Sequence, residues 1–211
     1  LSTNRLVLSV DGVRLNNAIY RGGNIHNVIS ISPANIENTE VIMGSASVLY
    51  GSDAIGGVMN FYTKKANLSN NSYPKIQLNF RSRYSSASIE KMYHFDFNYG
   101  LQKIAFLSSF SKSQFGNLTM GKNGPSEYLR PNYVGVNDVG EDILIQNSNS
   151  RVQRNTAYDQ VNFMQKIFYK PTENLNIDLG IHFSKSSNIP RYDRLITVSY
   201  THLTLPTKSL V

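Results

Sequence analysis

Residues 175–183 read LNIDLGIHF, and the apolar side chains fall on every second position. Leu175, Ile177, Leu179, Ile181 and Phe183 face one way, and Asn176, Asp178, Gly180 and His182 face the other. A period of two marks a β-strand whose two faces meet different surroundings. The pattern recurs upstream. In 76–84, Ile76, Leu78, Phe80, Ser82 and Tyr84 alternate with Gln77, Asn79, Arg81 and Arg83. In 93–99, Tyr93, Phe95, Phe97 and Tyr99 alternate with His94, Asp96 and Asn98. Segment 103–111 is less regular, with Ile104, Phe106 and Phe110 opposed by Ala105 and Leu107, and in 161–169 the apolar face Val161, Phe163, Ile167, Tyr169 is broken by Gln165. Five strands of about 9 to 11 residues have the length that a tilted membrane-crossing strand requires.

The connections carry a second regularity. Tight turns are expected at Gly100-Leu101-Gln102 and at Lys170-Pro171-Thr172-Glu173-Asn174, alternating with a turn at 85–91, a polar stretch at 113–158 and an open run from Ser184. Short turns at one end and long loops at the other are the asymmetry of an outer-membrane barrel. Tyr84 and Tyr93 would stand at the outer rim, Tyr99 and Tyr169 at the inner one, as two aromatic girdles. Alternation alone also suits a soluble antiparallel sheet with one buried face. Strand length, aromatic ends and loop asymmetry together favour the barrel. Arg81, Arg83, Asp96 and Asp178 would then point inward, because a charge on the lipid face costs on the order of 2 to 4 kcal/mol at the midplane.

Composition limits the other classes. The 211-residue chain has no Cys, thirteen Tyr and a net charge of +7, with its basic residues scattered. No dedicated nucleic-acid surface is expected. No run approaches the roughly 18 apolar residues of a membrane-spanning helix. The chain begins on Leu1 and shows no signal peptide, so it reads as a piece of a longer protein.

Residues 1–65 differ in texture, mixing the short apolar runs LVLSV, VISIS, TEVIM and VMNFY with Gly- and Asn-rich turns, as an α+β unit does. LVLSV runs into an Asp11-Gly12 turn. Ser32 to Glu37 reads as a short helical turn with Ser32 as N-cap, Pro33 at the first helical position and Glu37 within the first turns. The polar linker ANLSNNSYP, 66–74, separates this unit from the strands. The stretch 41–65, VIMGSASVLYGSDAIGGVMNFYTKK, places nine small residues between apolar runs. Glycines at 44, 51, 56 and 57 suit reversals and close backbone approach. As a phosphate loop it fails, since six residues separate Gly44 from Gly51 and no Lys follows. As a nucleophile elbow, Gly44-Ser45-Ala46-Ser47-Val48 lacks the second Gly.

The blocks Val10-Asp11-Gly12-Val13-Arg14, Ile36-Glu37, Thr39-Glu40-Val41-Ile42 and Gly44 to Phe61 (GSASVLYGSDAIGGVMNF) resemble, in order, the later part of the plug domain of TonB-dependent outer-membrane receptors. Met43 and Ser45 depart from it, standing where the family usually has Arg and Pro. Asn188 to Leu195 (NIPRYDRL) is similar to a loop of receptors from Bacteroidetes-type bacteria, among them haem or haemoglobin receptors. The resemblance implies an α+β plug segment followed by antiparallel transmembrane β-barrel strands, a fragment of the plugged barrel of about 22 strands known in outer-membrane transporters. The expected domains are 1–65, the C-terminal part of the plug; 66–74, a linker; 75–197, the first five barrel strands; and 198–211, a tail. Asp11, Gly12, Glu40, Gly44, Tyr50, Gly51, Gly56 and Gly57 would form the plug's structural motif.

What the resemblance implies functionally is uptake of a scarce ligand across the outer membrane of a Gram-negative bacterium, not catalysis, with no cofactor beyond a ferric siderophore or haem as cargo. The implied partners are the TonB–ExbB–ExbD energy-transducing complex, reached through an N-terminal part outside this chain, outer-membrane lipid and lipopolysaccharide, and a small iron-bearing ligand. A structural or adhesive outer-membrane β-protein is the alternative. Tyr20, Arg21 and His26 lie in a glycine-rich connection where a plug apex could meet ligand, and Arg191 and Tyr192 lie in the second loop match. For His26 a solvated loop position is the simpler reading, and the four histidines His26, His94, His182 and His202 lack metal-ligand spacing. His94 and His182 are expected to face the lumen and bond to plug or water. The 113–158 stretch, with Tyr128, Arg130 and Tyr133, is a ligand or lipopolysaccharide surface by position. From Val198 the run VSYTHLTLPTKSLV loses the alternation and resembles translated sequencing-adapter DNA, so a non-native tail is expected there, in which His202 and Pro206 carry no role; the start of another loop or strand is the alternative.

Overall fold

The computed structural model describes residues 6–15, 31–44 and 47–188. Two compact units divide the chain, one of Leu1–Arg83, Met92–Ser113 and Asp159–Ser186, the other of Tyr84–Lys91, Gln114–Tyr158 and Ser187–Val211.

The first unit begins with a small sheet. Strand β1 (Leu6–Val10) buries Val7 and Leu8 and reverses through Asp11-Gly12 into β2 (Val13–Arg14), with Val10 opposite Val13. Asp11 and Gly12 both have positive φ, 49° and 82°, as a two-residue type I′ turn demands. Strands β3 (Ile36–Met43) and β4 (Gly57–Thr63) complete the order β2-β1-β4-β3, with β4 parallel to β1 and antiparallel to β3. The single turn α1 (Ser47–Tyr50) and a 3₁₀ turn at Ser52–Ile55 connect β3 to β4. Val7, Ala54 and Val58 form the buried cluster, with Ile42 and Tyr50 packed on it. Burying a Val fully contributes only about 1.5 to 3 kcal/mol. A cluster of this size leaves much of the sheet's stability to what it docks against.

Three local expectations are corrected here. The helical turn after Ser32 is a 3₁₀ turn of Pro33–Asn35, and Glu37 already lies in β3. Ser32 makes no side-chain cap, because its hydroxyl is engaged elsewhere. Among the glycines, Gly44, Gly51 and Gly57 adopt positive φ, whereas Gly56 sits at φ −89°, open to any residue. Close approach is required at Gly57, where a Cβ would stand 2.6 Å from the Ile42 carbonyl oxygen at φ +141°.

The second sheet is an antiparallel meander of β5 (Lys75–Ser85), β6 (Glu90–Gly100), β7 (Ile104–Phe115), β12 (Tyr158–Thr172) and β13 (Leu175–Ser186), ordered β13-β12-β7-β6-β5. Its burial is inverted. His94, Asp96, Asn98, Ser109, Ser111, Gln160, Asn162 and Lys166 are buried, while Tyr93, Phe95, Phe110, Phe163 and Tyr169 are exposed. A soluble sheet would bury the other face, since apolar side chains drive burial from water. A sheet that is wet inside and apolar outside is what lipid selects. No described helix is long and apolar enough to cross a membrane, which does not bear on strands. The break at Gln165 has a local answer, because Ser108 on β7 donates to Gln165 Oε1 at 2.6 Å and so covers a polar side chain on the outward face. At the second tight turn the strand continues to Thr172, with the ladder shifting register between Tyr169 and Thr172. Pro171, which has no N–H to donate, sits within that irregularity.

The second unit is more ordered than a polar loop. Hairpin β9 (Asn132–Val136) with β10 (Asp142–Gln146), and the short pair β8 (Leu118–Thr119) with β11 (Val152–Gln153), are fixed by asparagines. Asn147 Nδ2 donates to the carbonyls of Arg130 and Val152, and Asn155 Nδ2 donates to that of Val134. Phe115 stacks on Tyr158 with ring centroids 4.4 Å apart, and Arg154 lies over Tyr133 at 6.0 Å. Amide side chains stand in for ladder partners, which is why the segment reads as polar yet folds.

Gly57→Ala should lower stability by on the order of 2 kcal/mol, from positive φ and the clash with Ile42. Gly12→Asn, at a left-handed position with open space around it, should cost less, about 1 kcal/mol from φ alone. Urea unfolding of both variants in detergent checks the contrast.

Candidate functional site

The last two residues leaving the small sheet, Thr63 and Lys64, tie it to the long one. Thr63 N–H donates to Asp11 Oδ1 at 2.8 Å and Thr63 Oγ1 to Asp11 Oδ2 at 2.6 Å, so β4 grips the β1–β2 turn. Lys166 of β12 completes the carboxylate's shell, its Nζ 2.8 Å from Asp11 Oδ2 and its side chain only 5% exposed. His182 Nε2 of β13 stands 3.8 Å from the same oxygen. Lys166 and Gly180 are ladder partners, and the lysine stem runs past Gly180, whose Cβ would lie 3.7 Å from Cε. Burial pushes the Asp11 carboxyl up, but the hydrogen bonds from Lys166 and Thr63 and the lysine's charge outweigh it and hold the group below the ordinary carboxylate value.

The second clasp is centred on β6. Lys64 Nζ donates to Asp96 Oδ2 at 2.6 Å, and His94 Nε2 is 3.1 Å from the same oxygen. Asn79 of β5 donates to Asp96 Oδ1 at 2.7 Å. His94 Nδ1 lies 2.8 Å from Ser111 Oγ on β7, and Ser32 donates to that hydroxyl at 3.0 Å. Ser109, also on β7, donates to Asn35 Oδ1. The linker is held flat as well: Asn67 N–H donates to Asn98 Oδ1 at 2.8 Å and Asn98 Nδ2 to Asn67 O at 3.1 Å. A Cβ at Gly100 would approach that same carbonyl oxygen to 2.1 Å.

A third centre lies within the small sheet. Asn60 Nδ2 donates to Glu40 Oε2 at 3.0 Å and to Tyr50 Oη at 3.2 Å, Tyr62 Oη donates to Glu40 Oε2 at 3.0 Å, and Ser9 Oγ donates to Asn60 Oδ1. Two bonds on one oxygen keep the Glu40 carboxyl below its ordinary value, the Asn60 bond first.

Of the motif residues, the structure therefore brings Glu40 and Tyr50 to Asn60, and sets Asp11 apart at the junction of the sheets. Tyr20, Arg21, His26, Arg191 and Tyr192 lie outside the described residues. His94 and Asp96 lie on the buried face and bond to residues of the N-terminal unit, while Arg81 and Arg83 stand exposed on the edge strand β5. Thr63, Lys64, Asn60 and Lys166 were not singled out by sequence. Lys166 could have been, as a basic residue in mid-strand, in phase with Asn162 and Met164 on the inward face of β12. A cavity of about 730 Å³ opens beside the first clasp, lined by Asp11, Val13, Lys166, Asp178 and His182 among others. Among the described residues no three His, Asp or Glu side chains gather as a metal site.

Because the folded Asp11 carboxyl lies below its unfolded value of about 3.9, its stabilisation is complete above that value and is lost as pH falls through the folded one. Asp11→Asn leaves buried Lys166 without its anion and should cost on the order of 2 kcal/mol near pH 7. Urea midpoints of parent and variant should converge below about pH 4.

Residues 1–58 match the family model described as the TonB-dependent Receptor Plug Domain. The Vitamin B12 transporter BtuB of Vibrio vulnificus (strain CMCP6) is 44% identical over 71 residues, 34% of this chain and 11% of that protein. The Ferric aerobactin receptor of Klebsiella pneumoniae is 47% identical over 60 residues, 28% of this chain and 8% of that protein. In fold, the FrpB iron transporter of Neisseria meningitidis matches 90% of this chain and 26% of its own, with TM-score 0.62 and 17% identity. The copper transporter OprC matches 86% of this chain and 23% of its own, with TM-score 0.57 and 16% identity. The matches thus span about a tenth of these curated relatives and a quarter of the solved structures. Residues 1–58 thus match the plug domain of TonB-dependent receptors, and most of the chain, strands included, shares the fold of about a quarter of the FrpB transporter.

Proposed function

We propose that this chain is the plug-to-barrel junction of an outer-membrane receptor that takes up a scarce iron chelate, a ferric siderophore or haem, by TonB-dependent transport. The observation that carries it is the inverted sheet whose buried polar face is saturated by the N-terminal unit through Asp11–Lys166 and Lys64–Asp96. An adhesive or purely structural β-protein has no use for a charged inner face matched so closely to a separate small sheet. Residues 1–65 serve as plug, 66–74 as linker and 75–197 as wall, and 198–211 is a non-native tail. The TonB–ExbB–ExbD complex acts on a part of the receptor N-terminal to this chain. Outer-membrane lipid and lipopolysaccharide of a Gram-negative bacterium meet the exposed aromatic face. Tyr20, Arg21, His26, Arg191 and Tyr192 are the proposed cargo contacts, and haem rests on the similarity of 188–195 to haem-receptor loops.

The iron assignment has support in relatives described as a ferric aerobactin receptor and an iron transporter. A second reading, cobalamin, follows from the relative described as a vitamin B12 transporter. Deletion of the gene should abolish growth on one iron source, ferric siderophore or haem, while growth on excess ferrous salt is unchanged. Unaltered growth on every iron source, with lost growth on limiting cobalamin, would transfer the assignment to cobalamin.

A further inference from the structure

The second clasp holds one anion between two potential cations. Ser32 donates to Ser111 Oγ, which leaves the Ser111 proton free to point to His94 Nδ1; the neutral tautomer that accepts it there carries its own proton on Nε2, beside Asp96 Oδ2. In this arrangement His94 is neutral, and Asp96 is balanced by Lys64 from the plug end, 2.6 Å away. Lys64 Nζ and His94 Nε2 are 3.4 Å apart, two donors sharing one acceptor.

We propose that His94 and Lys64 exchange as the counter-ion of Asp96, so that a proton bound by His94 releases the plug's last basic side chain from the wall. Charge accounting drives the exchange. A second positive charge would leave the buried site at net +1, which low-dielectric surroundings penalise. His94 cannot leave, being 1% exposed on its strand, whereas the Lys64 side chain is 27% exposed on a flexible stem and can turn to water. The other groups facing the imidazole oppose a net positive site or are neutral. Arg81 of β5 adds positive field, Asn79 of β5 donates to Asp96, and Ser111 of β7 is a hydroxyl. Protonation also places a hydrogen on Nδ1, so Ser111 must turn its own proton towards Ser32, and the hydroxyl chain between wall and plug reverses. Linkage makes the effect reciprocal: docking of Lys64 opposes proton uptake by His94 to the same degree. A histidine takes up its proton before an ion-paired carboxylate does, which sets the exchange apart from the Asp11 clasp, which yields only in stronger acid. The exchange depends on the clasp alone and holds whichever cargo the receptor carries.

These 211 residues hold no Cys, so Lys65→Cys carries the single nitroxide when the full-length receptor, any Cys elsewhere in it replaced, is labelled in outer-membrane vesicles. Position 65 is exposed and adjoins Lys64. The spin-label spectrum should be immobile at pH 8 and shift to a mobile component by pH 5. In His94→Gln, which keeps a hydrogen-bonding side chain but does not titrate, it should stay immobile at both; His94→Asn serves if Gln is not accommodated. In Lys64→Gln it should be mobile at both. An immobile label at pH 5 in the otherwise unaltered chain, or a histidine variant that follows the same pH profile, overturns the exchange.

Discussion

The structure depends on one constraint: a sheet that buries its polar side chains and exposes its apolar ones must satisfy the polar groups on the inside. A buried carboxylate or ammonium without a partner costs several kcal/mol, more than any apolar contact in this chain returns. The long sheet presents Asp96, His94 and Lys166 on its buried face, and the N-terminal part of the chain supplies Lys64, Ser32 and Asp11 against them. The plug, with its small apolar cluster of Val7, Ala54 and Val58, is stable in place because those polar groups complete one another. Plug and wall are each unsatisfied alone, so the interface specifies position as well as affinity.

Two neighbouring residues organise that interface. Thr63 faces back into the plug and locks the Asp11 turn, while Lys64, one residue on, faces the wall. Lys64 lies just past the end of β4, where the chain leaves the small sheet. Asp11 then serves three elements at once, closing its own type I′ turn, receiving β4 and pairing with β12. The left-handed geometry of Asp11-Gly12 presents the carboxylate outward, where an ordinary strand residue would not reach.

Much of this was legible beforehand. Alternation in 175–183 and 93–99 placed the strands to within a few residues, and the phase that put Asp96 and His94 inward is the one observed. The plug motif was visible as ordered blocks. What escaped was pairing across long separations. Nothing in Asp11 names a partner 155 residues away, and Ser32 followed by Pro33 looks like a helix cap until the wall offers Ser111. Asn60 sat unnoticed inside VMNFY because an isolated amide in a strand has no periodic signature, although it holds Glu40 and Tyr50 together. The 113–158 segment misled for a related reason: its ladders are closed by asparagine side chains, which composition alone assigns to loops. Glycine was over-read in one place, since Gly56 needs no special φ while its neighbour Gly57 does.

The central claim is that the wall's apolar face meets lipid and its polar face meets the plug. Nitroxides placed singly at positions 92 to 98 of β6, in membranes, report it directly through collisions with oxygen, which concentrates in lipid, and with a water-soluble nickel complex. Oxygen accessibility should peak at 93, 95 and 97, with 92, 94, 96 and 98 shielded from both reagents. The opposite phase, or accessibility to the nickel complex at 93, 95 and 97, would contradict it.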